Sequence, residues 1–145
     1  MNRGRPVVYV DSSVLIASIG NESYGEWARG VLAGKEAVSS AIAKVELARF
    51  AHRMGQLSER LRSVMSTLSF VKVEDQAIAA ATAVSGEVKA LDALHVGTWA
   101  HLKAVGMECP FITLDRKQAA AASRAGATVL HPFGDVSYTH LTLPT

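Results

Sequence analysis

The sequence predicts an α/β domain built on a central, mainly parallel sheet flanked by helices. Three observations carry this. Short β-rich runs alternate with helical stretches along the chain, the order in which parallel strands and crossover helices are laid down. The clearest β run, Val7 to Val10, is continuously apolar, as a strand covered on both faces is. Aspartates close two such runs, at the carboxyl edge where open parallel sheets bind ligands. The 145 residues, 49% apolar and 19% charged, suit one packed domain over residues 1–135. The last ten residues, 136–145, are Thr-rich, have no helical period and end Leu-Pro-Thr. They read as a tail not native to the domain, the ordinary alternative being a frayed terminus or an edge strand.

The elements follow in order. After the strand at 7–10, residues 21–32 have helical spacing, with Trp27, Val31 and Leu32 apolar and Gly34 as a stop. Ala37 and Val38 form a short strand. Ser39 or Ser40 then caps a helix to about Met54, which Gly55 ends. Residues 58–68 are a helix with Ser58 as cap, and 70–73 a short strand. Asp75 caps an alanine-rich helix to about Ser85, and 90–104 is a helix ended by Gly106. Residues 111–114 are a strand, 116–124 a helix stopped by Gly126, and 128–130 a last strand.

Composition removes several function classes. Nothing approaches the roughly 20 consecutive apolar residues of a membrane span, and Asp11, Ser12 and Ser13 interrupt any signal-like apolar region. The one cysteine, Cys109, allows no intrachain disulfide, and no zinc-type Cys/His spacing occurs. A soluble, cytoplasmic protein is expected. Net charge is +2. With four acids gathered at one site, nine remain against fifteen bases, a modestly basic body suited to a polyanion.

Four acids stand out. Asp11 follows Val-Val-Tyr-Val and Asp115 follows Phe-Ile-Thr-Leu, so both can face one crevice. The ordinary alternative for each is a helix cap. Glu46 shares a helix face with Ile42 and Phe50, and Asp92 shares one with Val88, Val96 and Trp99. A carboxylate beside an apolar face is costly unless paired or bound to a cation. Arg49 is a candidate partner for Glu46, and Lys89 or His95 for Asp92.

These acids sit in segments that resemble the PIN-domain ribonucleases, in particular VapC-like toxins of toxin–antitoxin pairs. Asp11-Ser12-Ser13-Val14-Leu15-Ile16 resembles the family's opening strand motif. Ala43 to Arg49 resembles its Glu-bearing helix, and Leu91-Asp92-Ala93-Leu94-His95 a further segment. Ile112-Thr113-Leu114-Asp115 resembles its Thr-x-Asp strand end, and Gly126 to Pro132 its closing segment. The resemblance implies a three-layer fold and a metal-dependent endoribonuclease, with Asp11, Glu46, Asp92 and Asp115 as the catalytic, metal-holding quartet.

Phosphodiester hydrolysis asks for such a set. Hard Mg²⁺ or Mn²⁺ prefers oxygen ligands and activates a bound water. In this reading Asp11 and Asp115 are direct ligands, and Glu46 and Asp92 are direct or water-mediated ones. Ser13 and Thr113 hold a carboxylate or touch phosphate, or else serve turn and strand. Lys44, Arg49 and Arg53, with His52, Arg60 and Arg62 nearby, either track RNA or form a solvated face. His95 is a site residue or a locally bonded helix histidine. The resemblance also implies a VapB-like antitoxin partner, and the family commonly forms homodimers. Other readings are a housekeeping RNA-processing nuclease, a phosphoryl-transfer enzyme of dehalogenase or receiver type, and a non-catalytic binding domain. The dehalogenase type wants a second Asp where Ser13 stands, and a receiver has no need of Glu46 and Asp92 on helices.

Overall fold

The computed structural model describes residues 4–20, 23–55 and 59–133. Five strands, β1 (Val7–Val10), β2 (Glu36–Ser40), β3 (Ser69–Val71), β4 (Phe111–Ile112) and β5 (Val129–Leu130), form one sheet in the order β3-β2-β1-β4-β5. All four pairings are parallel. The helices are α1 (Ser12–Ile19), α2 (Gly25–Leu32), α3 (Ile42–Arg53), α4 (Glu59–Thr67), α5 (Asp75–Thr82), α6 (Ala90–Ala104) and α7 (Arg116–Arg124).

Both faces of the sheet are covered, which explains the apolar strand runs. Side chains alternate across a strand, so Val8 and Val10 point to one face and Tyr9 to the other. The first face packs Val8, Val10 and Ile112 against Val14 and Leu15 of α1, Leu47 of α3 and Leu61 of α4. The second packs Tyr9, Val38 and Phe111 against Val96 and Trp99 of α6 and Ala121 and Ala122 of α7. The result is the expected three-layer α/β sandwich. Helix α5 lies closely on α6, and Gly97 permits this. A Cβ there would run into the backbone of Ala77 and Ala81.

The expected elements are found with shifted ends, and one is new. Helix α1 was not expected, because Ser12–Ile19 has no polar face to set a 3.6-residue period. It is buried at Val14, Leu15, Ala17 and Ser18 and packs on α2, α3 and α4, so burial removes the amphipathic signal. Helix α2 begins at Gly25, and the expected start at 21 lies outside the described residues. Strand β2 runs on to Ser40, with Ser39 Oγ donating to Val10 O at 2.6 Å. Ser40 Oγ still accepts the Ile42 N–H ahead of α3, at 3.2 Å. Helix α5 has Glu74, not Asp75, at its cap position and stops at Thr82. Strands β3 and β4 are shorter than expected, although Thr113 N–H continues the ladder to Leu130 O at 3.2 Å. The expected stops Gly106 and Gly126 have φ of 101° and 103°, the left-handed conformation glycine favours after a helix. Ser58 and the tail 136–145 lie outside the described residues.

A candidate active site at the carboxyl edge of the sheet

The chain runs from β1 outward to β2 and β3, then crosses back to β4 on the other side of β1. The β1/β4 boundary is therefore the switch point of this sheet, where a crevice opens beyond the strand ends. Val10 is level with Ile112, so the next residues, Asp11 and Thr113, emerge side by side.

Asp11 is only 2% exposed, and its side chain accepts from four donors. Oδ1 accepts Ser13 Oγ–H at 2.6 Å and the Val14 N–H at 3.3 Å. Oδ2 accepts Thr113 Oγ1–H at 2.6 Å and the Gln118 amide at 2.9 Å. A carboxylate has about four acceptor positions, and these four donors fix its orientation. The two hydroxyls are themselves oriented. Ser13 Oγ accepts the Leu114 N–H and Thr113 Oγ1 accepts the Asp115 N–H, each at 3.0 Å, which turns both hydroxyl protons towards Asp11. Thr113 thus holds Asp11 rather than the neighbouring Asp115 carboxylate.

Asp115 caps α7, its Oδ1 accepting the Lys117 and Gln118 N–H groups at 2.8 and 3.1 Å. Asp11 likewise caps α1. Capping and a place at the crevice are compatible, because the strand end that faces the crevice also starts the helix. Gln118 touches both aspartates, one through its side chain and one through its backbone. It is 1% exposed, and its Oε1 is buried without a hydrogen-bond partner.

Glu46 is held from the opposite layer. Its Oε1 lies 2.8 Å from His95 Nε2, and His95 Nδ1 lies 2.8 Å from the Tyr9 hydroxyl. Tyr9 and His95 are 0% and 1% exposed. Burial, and then the negative charge of Asp11, push the Tyr9 hydroxyl well above its ordinary pKa. It therefore keeps its proton, and His95 is fixed between Tyr9 at one ring nitrogen and Glu46 at the other. The partner of Glu46 is thus His95, not Arg49.

Asp92 stands in the first turn of α6, half-buried. Burial raises its carboxyl pKa, and the charges of Asp115 and then Asp11 add to the rise. His95 opposes and Glu46 adds a smaller push. The other three acids thus each bear on Asp92. Among the described residues, no hydrogen bond reaches the Asp92 carboxylate, Glu46 Oε2 or Asp115 Oδ2. Nor, among them, are three acid, His or Cys side chains already gathered as a shell around one ion. The donor set suits a hard cation in kind, and its free oxygens must draw together to ligate one.

A cleft of about 530 Å³ opens beside this edge, lined by Glu87, Asp92 and Asp115, by Lys89, Arg116 and Lys117, and by Leu114 and Phe133. Lys44, Arg49 and Arg53 do not line it. Lys44 lies over the Phe70 ring and Arg53 over Phe50, on the exposed side of α3. Sequence reasoning missed Gln118, Tyr9 and the cationic wall of the cleft. One signal for Gln118 was available: it is the polar residue on the face that α7 buries through Ala121 and Ala122.

The PIN domain family model matches residues 8–124, a span that holds all four acids. The chain belongs to the PIN-domain family. No curated protein matches it in sequence. As a PIN domain it shares its fold with a toxin–antitoxin complex from Klebsiella pneumoniae, at 20% identity and a TM-score of 0.65 over 85% of this chain and 95% of that one. It also shares it with VapBC2 from Rickettsia felis bound to a DNA fragment from its promoter. There the identity is 12% and the TM-score 0.61, over 86% and 98% of the two chains. PIN domains are in general nucleases. Among the described residues of this one, no helix is long and apolar enough to cross a membrane.

Proposed function

We propose that this PIN domain is a metal-dependent endoribonuclease and the toxin of a toxin–antitoxin pair. What supports the nuclease reading is the PIN domain match over residues 8–124, with Asp11 and Asp115 at the strand ends of the switch point and Glu46 and Asp92 on the flanking helices. The toxin reading is supported by the toxin–antitoxin complexes that share its fold. On this reading an antitoxin would be the inhibiting partner and a homodimer the working assembly.

Asp92, Glu46 Oε2 and Asp115 Oδ2, which no hydrogen bond reaches among the described residues, would be the oxygens to hold Mg²⁺ or Mn²⁺. Asp11 would join them with its four donors, the Gln118 amide included, keeping the carboxylate in place. A bound cation supplies charge for the phosphate and an acidified water. The chain does the rest. Ser13 and Thr113 hold the Asp11 carboxylate and aim it. His95, set by Tyr9, occupies Glu46 Oε1 and leaves Oε2 to orient a water or take its proton.

The test is incubation of the purified protein with a mixed RNA pool, with Mg²⁺ or Mn²⁺, with chelator, and as Asp11→Asn. Cleavage that needs the cation and is lost in the variant is expected. Cleavage indifferent to chelator, or none of any RNA, would sink the reading.

A further inference from the structure

We propose that the cleft beside Asp92 and Asp115 seats one nucleotide of single-stranded RNA next to the cleaved phosphate, its base on Arg116 and its backbone on Lys89 and Lys117. This rests on the ribonuclease reading and deepens it by naming the substrate's footprint.

The cleft has the size of a small-molecule site, about 530 Å³. It contains two of the four acids, so whatever fills it is adjacent to the chemistry. Arg116 is exposed, yet it is not free: its guanidinium lies 4.5 Å from the centre of the Phe133 ring. Phe133 is braced in turn, edge-on by Tyr24 at 5.7 Å and 88°, and by the tilted His131 ring at 5.3 Å and 31°. The guanidinium is thus held before any ligand arrives, which lowers the ordering cost of binding. Its outer face is a plane on which a base stacks.

Three cations, Lys89, Arg116 and Lys117, line the cleft together with Glu87 and the two site aspartates. Lys89 is the cap residue of α6, and Arg116 and Lys117 open α7, the helix ends where positive charge is unfavourable. No ion pair joins them to Asp92 or Asp115 among the described residues. Lys117 meets Glu87 at 3.7 Å with both side chains exposed, a contact of little worth. A polyanion laid across the cleft gives the three charges a partner and brings its phosphate to the acids. The α3 cations cannot serve this seat, because they do not line it.

The seat is tested by fluorescence anisotropy of a labelled mixed-sequence single-stranded RNA 12-mer, in chelator, so that binding is read without cleavage. Arg116→Ala, Phe133→Leu and Lys89→Ala each weaken binding about ten-fold, the scale of one stacked base or one phosphate contact. Lys103→Ala, which removes a charge at the far end of α6, changes it less than two-fold. Arg116→Lys keeps the charge but not the plane, so it is weak on normal RNA and near wild type on RNA abasic at the seat. Unchanged melting temperatures show that the variants are folded. Wild-type affinity in Arg116→Ala and Phe133→Leu, or a loss confined to Lys44→Ala, would overturn the seat while leaving the ribonuclease reading in place. RNA that binds with these losses but is never cleaved would sink that reading and uphold the seat. No RNA binding by the wild type would overturn the seat outright.

Discussion

Replacing Gln118 by Leu separates stability from function at this site. Leu fills nearly the same buried volume, so little cavity term arises. The change removes a hydrogen bond to the charged Asp11 Oδ2 (2.9 Å), a contact of about 1.5–3 kcal/mol. It also removes the buried Oε1, which has no partner and costs the fold about 1–3 kcal/mol. The two nearly cancel, and a net change within about 1 kcal/mol is expected in urea unfolding. Asp11 nonetheless loses the donor that links its Oδ2 to the start of α7, where the Gln118 N–H also holds Asp115. Loss of such a supporting contact typically weakens metal binding or activity about 10–100-fold. The assays are urea denaturation and Mn²⁺ titration calorimetry on the same preparation. A stability loss above about 3 kcal/mol with unchanged Mn²⁺ affinity would refute the reasoning and make Gln118 a core residue only.

Four further outcomes are expected. Thr113→Val, nearly isosteric, gains nothing in return for its lost bond to Asp11 and the orphaned Asp115 N–H, and urea midpoints should report a cost of about 3 kcal/mol. His95→Leu leaves Glu46 Oε1 unpaired and cuts Mn²⁺ affinity at least about ten-fold, whereas His95→Gln, whose amide can reach Glu46, recovers most of it by calorimetry. Asp92 has a carboxyl pKa raised above 3.8, first by burial and then by Asp115 and Asp11, so the folded state holds this proton more tightly than the unfolded chain. Stability without metal therefore falls as pH rises from about 3.8 through the raised value, and Asp92→Asn should remove that slope and raise the melting temperature near neutral pH. Gly97→Ala forces α6 away from α5 and should cost about 1–3 kcal/mol in thermal melts while leaving Mn²⁺ affinity unchanged.

The four acids were legible because each carries a local mark. Asp11 and Asp115 end apolar strand runs, and Glu46 and Asp92 break apolar helix faces. The arrangement that holds them was not legible. The Gln118–Asp11, Tyr9–His95 and His95–Glu46 bonds join residues 107, 86 and 49 positions apart, and nothing in local spacing encodes such a contact. Helix α6 has the bounds expected for residues 90–104, with Gly106 as its stop. Helix α1 was missed for the opposite reason: it is buried on nearly every side, and the pattern that reveals a surface helix is absent. The basic residues of α3 attracted notice by clustering in sequence, while Lys89 and Arg116 are brought together only by the approach of α6 and α7 at the sheet edge.

Titration of Mn²⁺ into the metal-free protein, alongside Asp92→Asn, asks most directly whether these four carboxylates form one cation site. Saturable heat in the wild type, with a rise in melting temperature, and at least a ten-fold loss of affinity in the variant are expected. No binding at millimolar Mn²⁺, or equal binding by both proteins, would contradict it.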